Sequence, residues 1–152
     1  AKVHVPDIGD RFMVDSGTTL SVLWPSSAKA SEWQAHPPSD LNETSIVMRL
    51  DFNDSCAYLT GDIPKEILQP LINTECQILK ISHHGSRTGT NEDILEKAKP
   101  KIAVIQVGKN SFGHPHKEVR ELLETRGIKI LRNDTDGTIE ITADGGQFTL
   151  DN

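Results

Sequence analysis

Long apolar runs are missing from these 152 residues. No stretch approaches the roughly 20 residues that a membrane-crossing helix requires. The opening shows no signal-peptide pattern. Positive charge is in short supply, with 16 Lys and Arg against 22 Asp and Glu and a net charge of −6. That balance argues against broad, nonspecific nucleic-acid binding by this chain alone, while leaving room for a local basic patch. Cysteine is scarce too. Cys56 and Cys76 are the only two, and neither sits in a CxxC pair. Both adjoin apolar stretches, so buried free thiols are expected rather than a disulfide. Two cysteines leave the redox compartment open. There is no internal repeat and no low-complexity tract.

What remains is the length of one domain, with apolar and charged residues near the average for a globular protein. The stretch "TTLSVLWP" reads as a strand stopped by Pro25. Because it follows no helix and no leader, the chain reads as a domain joined in its middle. Residues 26–44 are polar and turn-rich and read as a surface loop, with His36 a solvated loop histidine. "SIVMRLDF" and "CAYLTGD" flank the turn "NDS" and predict a hairpin over 45–62. "PKEILQPLI" predicts a short helix limited by Pro70. "ECQILKISH", 75–83, predicts a strand. "NEDILEKAKP" carries an Asn91 cap, early acids and late lysines, which signal a helix. "KIAVIQVG" predicts a buried strand. "HKEVRELLETRG" predicts a helix with Val119, Leu122 and Leu123 facing inward. "IKILRND", "TIEITAD" and "QFTLDN" predict short closing strands, with turns at "DTDG" and "ADGG". Strands alternating with three helices predict a layered α/β domain.

Three predicted strand ends carry residues capable of chemistry. Asp62 follows an apolar strand and a glycine. It either binds a cation at the sheet's carboxyl edge or caps the next helix. His83 and His84 end the following strand and so emerge at the same edge. Extended neighbours point to opposite sides, so one imidazole can face a site while the other supports it. Gly85 permits a sharp turn and Ser86 adds a hydroxyl. Carboxylate with neutral imidazole suits zinc, manganese or iron. In "VGKNSFGHPHKE", Asn110 and His114 lie ahead of a helix start, where amide groups favour an anion. His114 is either a phosphate contact or a poor helix cap. The HxHxE string of His114, His116 and Glu118 is set aside as a ligand run, because positions two apart on a helix face different ways.

"LTGD", "LKISHHGSRTGTNEDIL", "KPKIAVIQVGKNSFGHPHKEVRELLETRGIKI" and "NDTDGTIEI" together resemble the metallo-β-lactamase-like domain of ComEC-type competence proteins, from about Leu20 onward. The resemblance implies an αββα sandwich with two divalent metal ions, zinc or manganese, between its sheets, and hydrolysis of phosphodiesters such as DNA during uptake. Asp62 matches the aspartate that bridges the metals. The histidine pair matches the next metal ligand, with His84 favoured and His83 beside it. Ser86, Asn110 and His114 match substrate-side positions, and His114 also matches a catalytic one. "NETS", 42–45, falls where a further ligand or support belongs, and it holds no histidine. The family's main ligand run, HxHxDH, has no counterpart in this chain. The chain is therefore expected to be the C-terminal half of the sandwich, one mixed sheet with about three helices, as a single partial domain over 1–152, with the missing half upstream of Ala1.

On that basis the partners implied are DNA or another phosphodiester, the remainder of the same protein including a membrane channel, and a second copy through the uncovered sheet face. The family implies a membrane-associated protein with this domain, itself soluble, on the extracytoplasmic side. Little or no activity is expected of the chain alone. Two other functions stay open. One is a degenerate module that binds DNA or gates the channel; the other is a stand-alone metallo-hydrolase of a small phosphoester.

Overall fold

The structure, a computed structural model, describes residues 5–150. In chain order its elements are β1 (Arg11–Met13), β2 (Thr18–Trp24), α1 (Ser27–Ala35), a 3-10 turn (Leu41–Thr44), β3 (Val47–Phe52) and β4 (Ser55–Leu59). There follow α2 (Lys65–Leu71), β5 (Ile78–Lys80), α3 (Glu92–Ala98), β6 (Ile102–Ile105), α4 (Lys117–Glu124) and β7 (Lys129–Arg132). A one-turn α5 (Asn133–Asp136) leads to β8 (Ile141–Asp144) and β9 (Gln147–Leu150). Strands β1 to β7 form one seven-stranded mixed sheet in chain order, and β8 and β9 form a separate hairpin. Pairing is antiparallel from β1 to β4 and parallel from β4 to β7. This is the expected α+β layering, with one mixed sheet and helices. Among the described residues no helix is long and apolar enough to cross a membrane.

Local chemistry explains the elements. Asn53 turns the β3–β4 hairpin with a positive φ, which asparagine tolerates well. The Asn91 side chain accepts from the Ile94 N–H and caps α3, while Glu92 and Asp93 favour its positive end and Lys97 its last turn. Tyr58, Leu79, Ala103 and Ile105 point to one side of the sheet. There they pack against Leu68 of α2, Ile94, Leu95 and Ala98 of α3, and Val119 and Leu123 of α4. The three helices therefore cover one face, because each βαβ crossover returns on the same side.

The opposite face is less enclosed. Leu50, Leu59 and Val104 are half-buried there, and the β8–β9 hairpin lies across them through Ile141 and Phe148. Phe148 meets Phe52 at 6.1 Å between ring centroids, and the Ser55 hydroxyl donates to the Gly146 carbonyl. A two-stranded hairpin is a small lid for a seven-stranded sheet.

Several expectations need correction. Residues 26–44 are not all loop. Ser26 accepts from the Lys29 N–H and starts α1, whose Trp33 packs edge-on against Trp24 at 5.9 Å. His36 is exposed, as the C-terminal cap of this helix. The strand predicted for 75–83 is only β5; His83 and His84 lie in a left-handed turn with φ of 50° and 54°. Pro115 does not begin α4, which His116 caps. The last residues of the strand predicted over "QFTLDN" lie outside the described residues, beyond Leu150. Most important, Cys56 and Cys76 are not free thiols. They form a disulfide between β4 and the approach to β5, strands already in register at Ala57 and Ile78.

That disulfide closes a loop between residues 20 apart. On the loop-entropy model it stabilises the fold by about 3 kcal/mol. Reduction should therefore lower the melting temperature by about 6–12 °C, read by calorimetry with and without a phosphine reductant. An unchanged transition would show that the bond contributes nothing. The thinly covered face leads to a second expectation, that the chain self-associates with rising concentration. Sedimentation velocity showing a single monomer at high concentration would count against that.

Candidate functional site

The carboxyl ends of parallel strands β4, β5 and β6 lie along one edge of the sheet, and three loops leave it there. The first is "TGD". Gly61 has φ of 57°, and a Cβ there would stand 2.8 Å from Ser45 Cβ, so only glycine allows this approach. The closeness has a purpose: the Asp62 N–H donates to Ser45 Oγ at 3.0 Å. Ser45 thus supplies a support from the "NETS" segment. Lys80 closes the loop from below, donating to the Gly61 carbonyl at 2.7 Å with its Nζ 3.8 Å from Asp62 Oδ1. Burial pushes the Lys80 ammonium pKa down, and the Asp62 charge opposes that shift.

The second loop is the left-handed "HHG" turn. His84 Nδ1 lies 2.6 Å from the Gln106 carbonyl, which can only accept, so Nδ1 carries the proton. In the neutral ring the lone pair is then on Nε2, which sits 3.3 Å from Asp62 Oδ2. Two ligand atoms about 2.0–2.1 Å from one tetrahedral ion stand about 3.3–3.4 Å apart. The pair has that span. A backbone carbonyl holding the distal ring nitrogen is also the usual support of a metal-binding histidine. His83 makes other contacts. Its Nδ1 is 3.4 Å from Thr88 Oγ1, and its ring approaches His114 at 5.4 Å.

The third loop, between β6 and α4, brings His114 to 6.4 Å from His84 between ring centroids. Burial first, and then the neighbouring His116, His83 and His84, hold the His114 imidazole pKa below its ordinary value, against the pull of Asp62. The Asn110 amide is committed to its own loop. Its Nδ2 donates to the Gly108 and His114 carbonyls, and its Oδ1 accepts from the Phe112 and His114 N–H groups. It builds the loop that presents His114. Ser86 is buried, with its hydroxyl 3.0 Å from Thr88 Oγ1. A shallow cavity of about 220 Å³ opens here, lined by His84, Lys109, Asn110, Phe112 and His114 among others.

Asp62, His84 and His114 are thus brought together, with His83 beside His114. Among the described residues no group of three or more His, Cys, Asp or Glu side chains is gathered to hold an ion. Lys80 and Gln106 were not anticipated, and His116 was named only in the HxHxE string set aside as a ligand run. The Gln106 contribution is a backbone carbonyl, which no side-chain pattern reveals. His116 packs 4.8 Å from His114, and its buried Nδ1 has no hydrogen-bond partner.

No family model matches the chain. It is 37% identical over 112 residues to "ComE operon protein 3" of Bacillus subtilis, covering 70% of this chain and 14% of that protein. It is 31% identical over 107 residues to "Competence protein ComA" of Neisseria gonorrhoeae, covering 66% of this chain and 16% of that protein. "Recombination protein 2" of Haemophilus influenzae is 29% identical over 103 residues, 66% of this chain and 13% of that protein. The chain therefore spans about one seventh of the curated relatives it matches. A solved structure from Parabacteroides distasonis, provisionally named a metal-dependent hydrolase, shares the fold with a TM-score of 0.53 and 16% identity. The match covers 86% of this chain and 57% of that one.

The junction between the second and third loops is tight enough to test. Gly85 has φ of 81°, and a Cβ there would lie 2.5 Å from Pro115 Cβ. Gly85→Ala should cost about 2–4 kcal/mol, from backbone strain and overpacking together. Chemical denaturation reads this directly; a loss under about 1 kcal/mol would mean that the two loops part easily.

Proposed function

We propose that the chain is part of a metal-dependent phosphodiesterase domain serving DNA uptake in natural competence. One observation carries the metal half of this reading: His84 Nε2 and Asp62 Oδ2 stand one ion's span apart, with the distal His84 nitrogen anchored on Gln106. Similarity to proteins named for competence supports the rest.

Asp62 would bridge two divalent ions, and His84 would hold one of them, with His83 as a neighbour. Carboxylate with imidazole suits zinc or manganese. Such ions supply a Lewis acid for the phosphoryl group and an activated water. The other roles belong to this chain. Ser45 fixes the backbone of Asp62, and Lys80 offsets its charge. His114, presented by Asn110, positions a phosphate oxygen or carries a proton toward the leaving oxygen. Ser86 steadies the histidine turn through Thr88. Structural sites use four ligands and catalytic sites keep three per ion, so the remaining ligands are assigned to other parts of the complete protein. The Cys56–Cys76 disulfide supports an oxidising, extracytoplasmic location on a membrane-associated protein. A second reading, a DNA-binding or channel-gating module without catalysis, draws support from Lys80, whose ammonium already partners Asp62.

The test uses the intact protein. Asp62→Asn should lower metal-dependent DNA hydrolysis by more than about 100-fold, and His84→Ala should lose bound metal in elemental analysis. Unchanged turnover in Asp62→Asn would remove that residue from the mechanism. An intact protein that binds DNA but neither cuts it nor carries metal would establish the second reading.

A further inference from the structure

Phe112 is 76% exposed, the second highest exposure among the large apolar side chains of the described residues. A lone exposed apolar residue is ordinary on a protein surface. This one is unusual in its support. Its ring lies 6.0 Å from that of His114, with only 29° between their planes. Its N–H donates to Asn110 Oδ1 at 3.1 Å, so the loop that displays the ring is held by the same amide that holds His114. Lys109, exposed on the same loop, lines the same cavity as Phe112, His84 and His114.

An aromatic face with a cation beside it, held above a phosphate-handling group, is how proteins grip unpaired nucleotides. Bases stack on the ring while the cation meets the backbone. A duplex hides those faces in its own stack. We infer that Phe112 is a stacking platform for a base of single-stranded nucleic acid, and that it sets the strand next to His114. This rests on the phosphodiesterase reading and adds to it a substrate class, single strands with intact bases. Lys109 supplies the adjoining phosphate contact.

The experiment measures binding by the intact protein carrying Asp62→Asn, so that strands survive. The probes are fluorescein-labelled oligothymidylate and an abasic strand of equal length. Oligothymidylate should bind more tightly. Phe112→Leu, which keeps apolar bulk but removes the π face, should weaken oligothymidylate by about 5- to 100-fold and leave the abasic strand unchanged. Phe112→Trp should restore the preference. Equal weakening of both strands, or no weakening of either, would overturn the platform. Hydrolysis assays on the protein with Asp62 intact separate the two levels. If it cuts both strands and Phe112→Leu alters neither binding nor cutting, only the platform fails. If it neither binds nor cuts either strand, the phosphodiesterase reading fails with it.

Discussion

The hydrogen bonds received by the Gly61 carbonyl join two strand ends into one edge. Lys80 Nζ donates to it at 2.7 Å, and the His83 N–H reaches it at 3.3 Å. Beside it, Ser82 Oγ donates to the Ile63 carbonyl at 2.6 Å, in the core. These bonds tie the loop after β4 to the turn after β5, and so fix Asp62 against His84. The third loop is docked onto the second, where the His116 N–H donates to the Gly85 carbonyl at 3.0 Å. Without the first tie the second has nothing rigid to dock upon. The cost of burying Lys80 is accepted here because its ammonium has a carbonyl and a carboxylate to face.

The parts of the fold that sequence revealed are those with a local cause. The β3–β4 hairpin follows from two strand-like runs around Asn53, and α3 from Asn91 and the charges behind it. What stayed hidden needed tertiary information. Helix α1 has no apolar stripe to read; one aromatic, Trp33, anchors it against Trp24. The disulfide depends on the β4–β5 register, because Cys56 and Cys76 become neighbours only when Ala57 pairs with Ile78. The histidine turn was mistaken for strand because its left-handed φ values are rare away from glycine, and only Gly85 hinted at a bend.

The site divides in the same way. The gathering of Asp62, His84 and His114 at one sheet edge was legible because strand-end position and residue type agree. Which of the adjacent histidines meets the Gln106 carbonyl was not. Asn110 looked like a polar group offered to a ligand. Its four hydrogen bonds are spent inside its own loop, and spacing alone says nothing of that.

The loop-bound amide of Asn110 has an evolutionary consequence. One side chain makes four of the hydrogen bonds that frame the rim loop. Lys109, Ser111 and Phe112 are exposed and free to vary without refolding the loop or disturbing the strand ends beneath. On the proposed function, selection can retune the rim's contacts while the strand-end residues stay still. Frame and surface are inherited together but can drift apart through single surface changes.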